Sequence, residues 1–87
     1  MKIKSGFIVR NVGGENIAVP VGERAKTFKG MIKLNETGFF LWNFFCQDNT
    51  EDAAVKALCQ EYDVEESVAR KDVKTFMDNL ITNGFAE

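Results

Sequence analysis

The spacing of the apolar residues changes once along this chain, near Asn35. Before that point apolar and polar residues alternate, a spacing typical of half-buried β-strands. The alternating apolar positions are Phe7 and Val9, then Ile17, Val19 and Val21, then Ile32 and Leu34. We predict three strands, near residues 6–12, 16–21 and 29–34, with a looser connection over residues 22–28.

Two glycines separate the first two predicted strands. Gly13 and Gly14 readily adopt the positive φ of a tight hairpin turn, so these strands should pair antiparallel. The third strand is expected to pair with the second and to complete a small sheet. Pro20 has no amide proton, and we expect it at a strand end or with its nitrogen pointing away from a partner strand.

Beyond Asn35 the apolar residues follow helical spacing and predict three helices. Asn35 and Thr50 are expected to cap the first two helices. Asp63 and Glu66 are expected to cap the third, which should close at Gly84. The predicted inward positions of the third helix are Ala69, Val73, Phe76 and Leu80.

Three antiparallel strands followed by three helices indicate a single α+β domain over residues 1–87, similar to winged helix-turn-helix proteins. The first predicted helix is unusual because it has apolar residues on every side. Phe40 and Phe44 therefore seal the core, form a dimer contact or meet another protein. The pattern alone leaves these three alternatives open.

The composition limits the chemistry of the chain, which has no histidine and only two cysteines among 87 residues. Without histidine the most common general base and a common metal ligand are missing. Cys46 and Cys59 are expected to be reduced and packed in or near the core. We therefore expect no catalytic, metal-binding or cofactor-binding residues and interpret the chain as a non-enzyme. No apolar run has the length of a signal peptide or a membrane span, so we expect a soluble cytoplasmic protein without membrane contact.

The net charge of −2 combines two parts of opposite sign. Residues 1–34 hold seven basic and two acidic side chains, a net charge of +5. Residues 35–87 hold four basic and eleven acidic side chains, a net charge of −7. The acidic balance argues against general nucleic-acid binding, while the basic part provides a local surface for an acidic partner.

Several segments resemble a known family. The most specific is Leu34-Asn35-Glu36-Thr37-Gly38 followed by Leu41-Trp42, and the agreement extends from Phe7 to Phe85. In these segments the chain resembles PqqD, the small chaperone-like protein of pyrroloquinoline quinone biosynthesis, and its relatives. The resemblance implies a non-catalytic module that binds the leader of a ribosomally made precursor peptide. It also implies delivery of that peptide to a modifying enzyme, often a radical S-adenosylmethionine protein.

The resemblance further implies how the leader binds, as an extra strand beside the third strand and in a groove against the third helix. The predicted peptide-binding residues are Lys29, Gly30, Met31, Ile32, Lys33 and Leu34 on the strand and Arg70, Val73, Lys74 and Met77 on the helix. Lys29 and Lys33 steer an acidic leader, protect an open edge from aggregation, or do both. The alternative for the helix is that Met77 is ordinary core and that Arg70 and Lys74 are solvated surface.

Two other functions share this layout. A winged-helix DNA-binding domain has the same order of elements, but the basic residues of the third helix are interspersed with acidic ones. A dimeric scaffold would associate through the aromatic first helix.

Overall fold

The computed structural model describes all 87 residues. Three strands and four helices follow one another as β1 (Phe7–Val12), β2 (Glu15–Pro20), α1 (Glu23–Thr27), β3 (Ile32–Leu34), α2 (Glu36–Phe44), α3 (Glu51–Glu61) and α4 (Glu66–Thr82). The α+β class and the three-stranded antiparallel sheet followed by three helices are confirmed. The short helix α1 is an addition, since it lies in the segment for which we predicted a looser connection. None of the helices combines the length and the apolar character needed to cross a membrane.

The sheet has the order β1-β2-β3 and is antiparallel throughout. Gly13 and Gly14 form the predicted hairpin turn, with φ values of 60° and 86°. Because β2 is the central strand, β3 pairs on one side only and forms an edge of the sheet.

Strand β3 is shorter than predicted, since it begins at Ile32 instead of residue 29. The last pair between β2 and β3 is Ala18 with Ile32. Continuing this register would place Pro20 opposite Gly30, and proline has no N–H to donate to a ladder. The absence of that one donor ends the pairing and leaves Lys29 to Met31 outside the sheet.

The buried face of β2 also differs from the alternation in the sequence, which favoured Ile17 and Val19. Residues paired directly across a sheet share a face, and Ala18 pairs with both Val9 and Ile32. Ala18 is fully buried, so Ile17 and Val19 lie on the outer face. Since β2 carries apolar residues on both faces, its own pattern does not determine which face meets the helices.

Two of the three predicted helix caps are confirmed. Asn35 Oδ1 accepts a hydrogen bond of 2.8 Å from Gly38 N–H, and Thr50 Oγ1 accepts one of 3.1 Å from Ala53 N–H. The predicted cap at Asp63 is wrong, because α4 begins one residue beyond Glu65, which makes no side-chain cap bond.

The C-terminal end of α4 closes as predicted. Gly84 has a φ of 83°, and the N–H of Phe85 donates to the C=O of Leu80 over 2.8 Å. This turn directs Phe85 into the core and leads Ala86 into a bridge with Ile3. The chain ends therefore lie beside each other.

The core lies between the inner face of the sheet and the three long helices, and its centre is aromatic. Trp42 is only 2% exposed, and its ring centroid lies 6.0 Å from that of Phe85. Phe7 and Phe28 each lie 4.9 Å from Phe85. The expectation for the cysteines holds only in part, since Cys59 is half-buried and Cys46 is exposed.

Replacing Trp42 with alanine should lower the free energy of unfolding by about 3–5 kcal/mol, because the cavity left among the aromatic rings cannot close completely. The adjacent residue Asn43 is exposed on the same helix and provides the matched control. Asn43→Ala should change the free energy of unfolding by less than about 0.5 kcal/mol. Urea denaturation of both variants measures the difference, and equal effects would show that Trp42 is not a core anchor.

Candidate functional site

A groove runs between the edge strand β3 and helix α4. Its main cavity has a volume of about 620 Å³. Strand β3 and Asn35 form one wall, and the other wall comes from α4. The first turns of α2 close the groove between them through Thr37, Gly38 and Leu41.

Apolar side chains at the base of the groove lie beside Gly38. A Cβ atom at this position would lie 3.0 Å from Asn35 Oδ1 and 3.7 Å from a ring carbon of Phe76. A side chain here would therefore crowd the capping oxygen of Asn35, whereas its contact with Phe76 would be of ordinary length. Leu34 and Leu41 are buried alongside. The Leu-Asn-Glu-Thr-Gly segment thus has a structural role, since it caps α2 and shapes the groove base.

One wall of the groove is a strand edge with free backbone groups. Along a strand the N–H and C=O groups point alternately to its two sides. In a hairpin with a two-residue turn the residues flanking the turn bond each other, so Asn16 and Ala18 direct their backbone groups toward β3. Their partners Leu34 and Ile32 bond back to β2. The N–H and C=O of Lys33 consequently point to the open side.

The open edge continues through the residues before β3. The backbone groups of Lys29, Gly30 and Met31 make no backbone hydrogen bond, and the Met31 side chain is 69% exposed. A second cavity of about 460 Å³ lies along this segment and shares Ile32 with the first.

The α4 wall is formed by a different flank of the helix from the one that we predicted. The buried stripe is as expected, since Ala69, Val73 and Leu80 are fully buried. The groove is lined by Lys71, Asp72, Thr75, Phe76 and Asn79. The predicted residues Arg70, Lys74 and Met77 do not line it, because they lie on the opposite side of the buried stripe.

Arg70 is held on that opposite flank by ion pairs with α3. Its Nη1 atom lies 2.9 Å from Asp52 Oδ1 and 3.3 Å from Glu51 Oε2. The hydrogen bond with Asp52 raises the pKa of Arg70 above its ordinary value. Val73 is 0% exposed and has no surface for a ligand. A helix that packs by a central stripe has two flanks, and the sequence pattern does not say which one α3 covers.

The strand residues predicted for the site are brought together as expected. Ile32, Lys33 and Leu34 line the main cavity, and Lys29 to Met31 line its extension. Lys33 Nζ lies 3.4 Å from Glu15 Oε2, while Lys29 and Lys71 make no ion pair. The groove is thus suited to an extended peptide with a net negative charge. No cluster of three or more potential metal ligands is present in the structure.

Comparisons with known proteins agree with this geometry. A family model described as coenzyme PQQ synthesis protein D (PqqD) matches residues 16–86. The fold is similar to the solved structure of TbiB1 in complex with the TbiA(beta) leader peptide, with a TM-score of 0.76 and 20% sequence identity. That similarity covers 100% of this chain and 95% of the other. A search of curated proteins found no match.

The free edge of β3 predicts a difference in amide hydrogen exchange between two adjacent residues. The N–H of Leu34 is bonded within the sheet, whereas the N–H of Lys33 faces the groove. Lys33 should exchange at least about tenfold faster than Leu34 after correction for intrinsic rates. Exchange followed by NMR on the free protein tests this, and equal protection would contradict the assigned register.

Proposed function

This chain belongs to the PqqD family, whose model matches residues 16–86, and on that premise we propose that it binds the leader segment of a ribosomally made precursor peptide. The leader adds as a strand beside β3 and lies in the groove against α4. The observation that carries this proposal is the row of free backbone groups at Lys29 to Met31 and on the open side of Lys33, directly beside a groove with apolar side chains at its base. Strand addition uses such an edge, with backbone bonds for affinity and side-chain pockets for selectivity.

The TbiB1 complex supports the proposal, because a protein of the same fold was solved with a leader peptide bound. In the chain described here an added strand bonds first to the N–H and C=O of Lys33. Its next backbone contact along the edge is Met31, two residues earlier. Side chains of the leader then alternate between the groove base and the solvent, so an apolar residue of the leader packs near Leu34 and Phe76.

The charges around the groove favour an acidic leader. Lys29, Lys33 and Lys71 border the two cavities, and Asp72 is the acidic residue among the lining side chains. Basic groups at the rim act mainly on the rate of association and on specificity. The proposed binding residues are therefore the edge residues Lys29 to Leu34 together with the groove flank of α4.

We propose a non-catalytic role in the cytoplasm, where a ribosomally made precursor is produced, with delivery of the bound peptide to a modifying enzyme. The radical S-adenosylmethionine class of that enzyme follows from the family resemblance. The DNA-binding alternative receives less support, because Arg70 is neutralised by α3 and Lys74 lies 4.0 Å from Asp78. A recognition helix needs an exposed basic or amide-rich face.

Strand addition predicts a two-residue period in the response of the leader to backbone methylation. A synthetic leader encoded beside this chain's gene would be methylated at one amide nitrogen at a time. Methylation of amides that face β3 should weaken binding at least about fivefold, since each removes a hydrogen bond of roughly 1 kcal/mol. Methylation of the amides between them should have little effect. Titration calorimetry gives the affinities.

The same titration followed by NMR locates the bound leader. Amide shifts concentrated in residues 29–35 and on the groove side of α4 are expected. A methylation profile without alternation would contradict strand addition, and failure of every neighbouring leader to bind would contradict the proposed function.

Charge reversal on each flank of α4 tests which flank the leader contacts, the groove flank or the flank with Arg70, Lys74 and Met77. Lys71 and Lys74 are both exposed lysines on the same helix, three residues apart. Lys71→Glu should weaken binding of an acidic leader by about three- to tenfold at low salt, and the loss should shrink as salt rises. Lys74→Glu is the control and should stay within about twofold of the unmodified protein. A larger loss of leader affinity for Lys74→Glu than for Lys71→Glu would instead show that the leader binds the flank with Arg70, Lys74 and Met77.

A further inference from the structure

Helix α2 presents aromatic residues on the side that faces away from the core. Its buried positions are Gly38, Leu41 and Trp42. Helical spacing places Phe39, Phe40 and Phe44 on the opposite side. All three are only half-buried, although phenylalanine is normally among the most buried residues. All three rings pack in part against the core, and the outer side of α2 leaves the rest of their apolar area uncovered.

These rings form one surface together with the end of α3. A cavity of about 500 Å³ lies between the two helices and is lined by Phe39, Phe40, Phe44 and Tyr62, which we call the aromatic patch. The rings of Phe40 and Tyr62 contact edge to face, with their centroids 5.8 Å apart. The patch is therefore a continuous depression and not a set of isolated side chains.

The border of the aromatic patch is acidic. Glu36 and Glu61 line the same cavity, with Asn43 as the remaining polar residue and no lysine or arginine. Neither carboxylate is paired with a cation elsewhere in the chain. Burial raises the pKa of Tyr62, and the negative charges of Glu36 and Glu61 raise it further. The patch thus combines an apolar centre with an uncompensated negative field.

The apolar centre and the acidic border limit which kind of partner can bind the aromatic patch. A symmetric contact with a second copy would bring the two acidic borders together, which is unfavourable. Anionic lipid surfaces and nucleic acids would be repelled by the same charges. A protein surface with an apolar centre and lysine or arginine around it is complementary to the patch.

We propose that the aromatic patch is the docking surface for the peptide-modifying enzyme, which meets it with an apolar site bordered by basic residues. This inference rests on the proposed function. The leader groove uses the opposite edge of α2, at Thr37, Gly38 and Leu41, so both partners can bind at once. Phe39 also borders a cavity with Lys33 and Leu34, so the patch begins beside the strand edge.

Asn43→Lys tests the proposal without disturbing the core. Asn43 is exposed among the patch residues, and lysine forms helix at least as well as asparagine. The added positive charge and bulk should weaken binding of the leader-loaded protein to the purified modifying enzyme encoded beside its gene by at least about tenfold at low salt. Ser67→Lys, an equal charge change on an exposed position of α4, is the control and should bind the enzyme normally.

A second variant tests the charge at the border of the patch. Glu61→Lys places a positive charge at the C-terminal end of α3, where it suits the helix dipole and preserves the fold. It should weaken enzyme binding and reduce its dependence on salt. Leader affinity should be unchanged in all three variants.

The outcomes separate this inference from the proposed function. If the unmodified protein binds no leader, the proposed function fails. If it binds leader but Asn43→Lys and Ser67→Lys bind the enzyme equally well, or the enzyme does not bind at all, the docking surface is refuted. Sedimentation that shows a dimer for the unmodified protein and a monomer for Asn43→Lys would assign the patch to a second copy instead.

Discussion

The hydrogen bond from Gly38 N–H to Asn35 Oδ1 determines where the sheet stops and where the helices begin. Because Asn35 caps α2, Leu34 is the last residue of β3 and is buried directly under the new helix. The glycine three residues beyond the cap leaves room for the Asn35 oxygen that accepts this bond. One local interaction thus sets the point at which the strand edge gives way to the first turn of α2, beside the groove.

Helix α2 then faces three environments within nine residues. Trp42 anchors it in the core, Gly38 lies at the groove base, and Phe40 faces outward. A helix of nine residues is too short to place the core contact, the groove base and the outward surface one after another along its axis. The three surfaces therefore lie on different sides of the helix. Its apolar character on every side, which is puzzling in a domain of this size, is explained if each side has a partner of its own.

Local signals in the sequence predicted the local structure well. The Gly13-Gly14 turn, the cap at Asn35 and the closure at Gly84 each depend on the chemistry of one or two residues, and all are confirmed. The sequence pattern did not decide choices between two sides of an element. The buried face of β2 depends on its neighbours, and the groove flank of α4 depends on where α3 packs. Alternation was enough to predict the strand edge, and the family resemblance led us to propose it as a binding site. No pattern in the sequence indicated that Lys71 and Thr75 line the groove.

The missing N–H of Pro20 has a consequence for the lifetime of a complex. Lys29 to Met31 have no ladder bonds in the free protein. In the proposed binding mode, hydrogen bonds to the leader would fix their backbone. Fixing one backbone residue costs about 1–2 kcal/mol, and this entropy is returned when the ligand leaves. A protein that passes its cargo onward gains from such an edge, because contacts that are extensive enough to select the peptide still allow it to dissociate quickly.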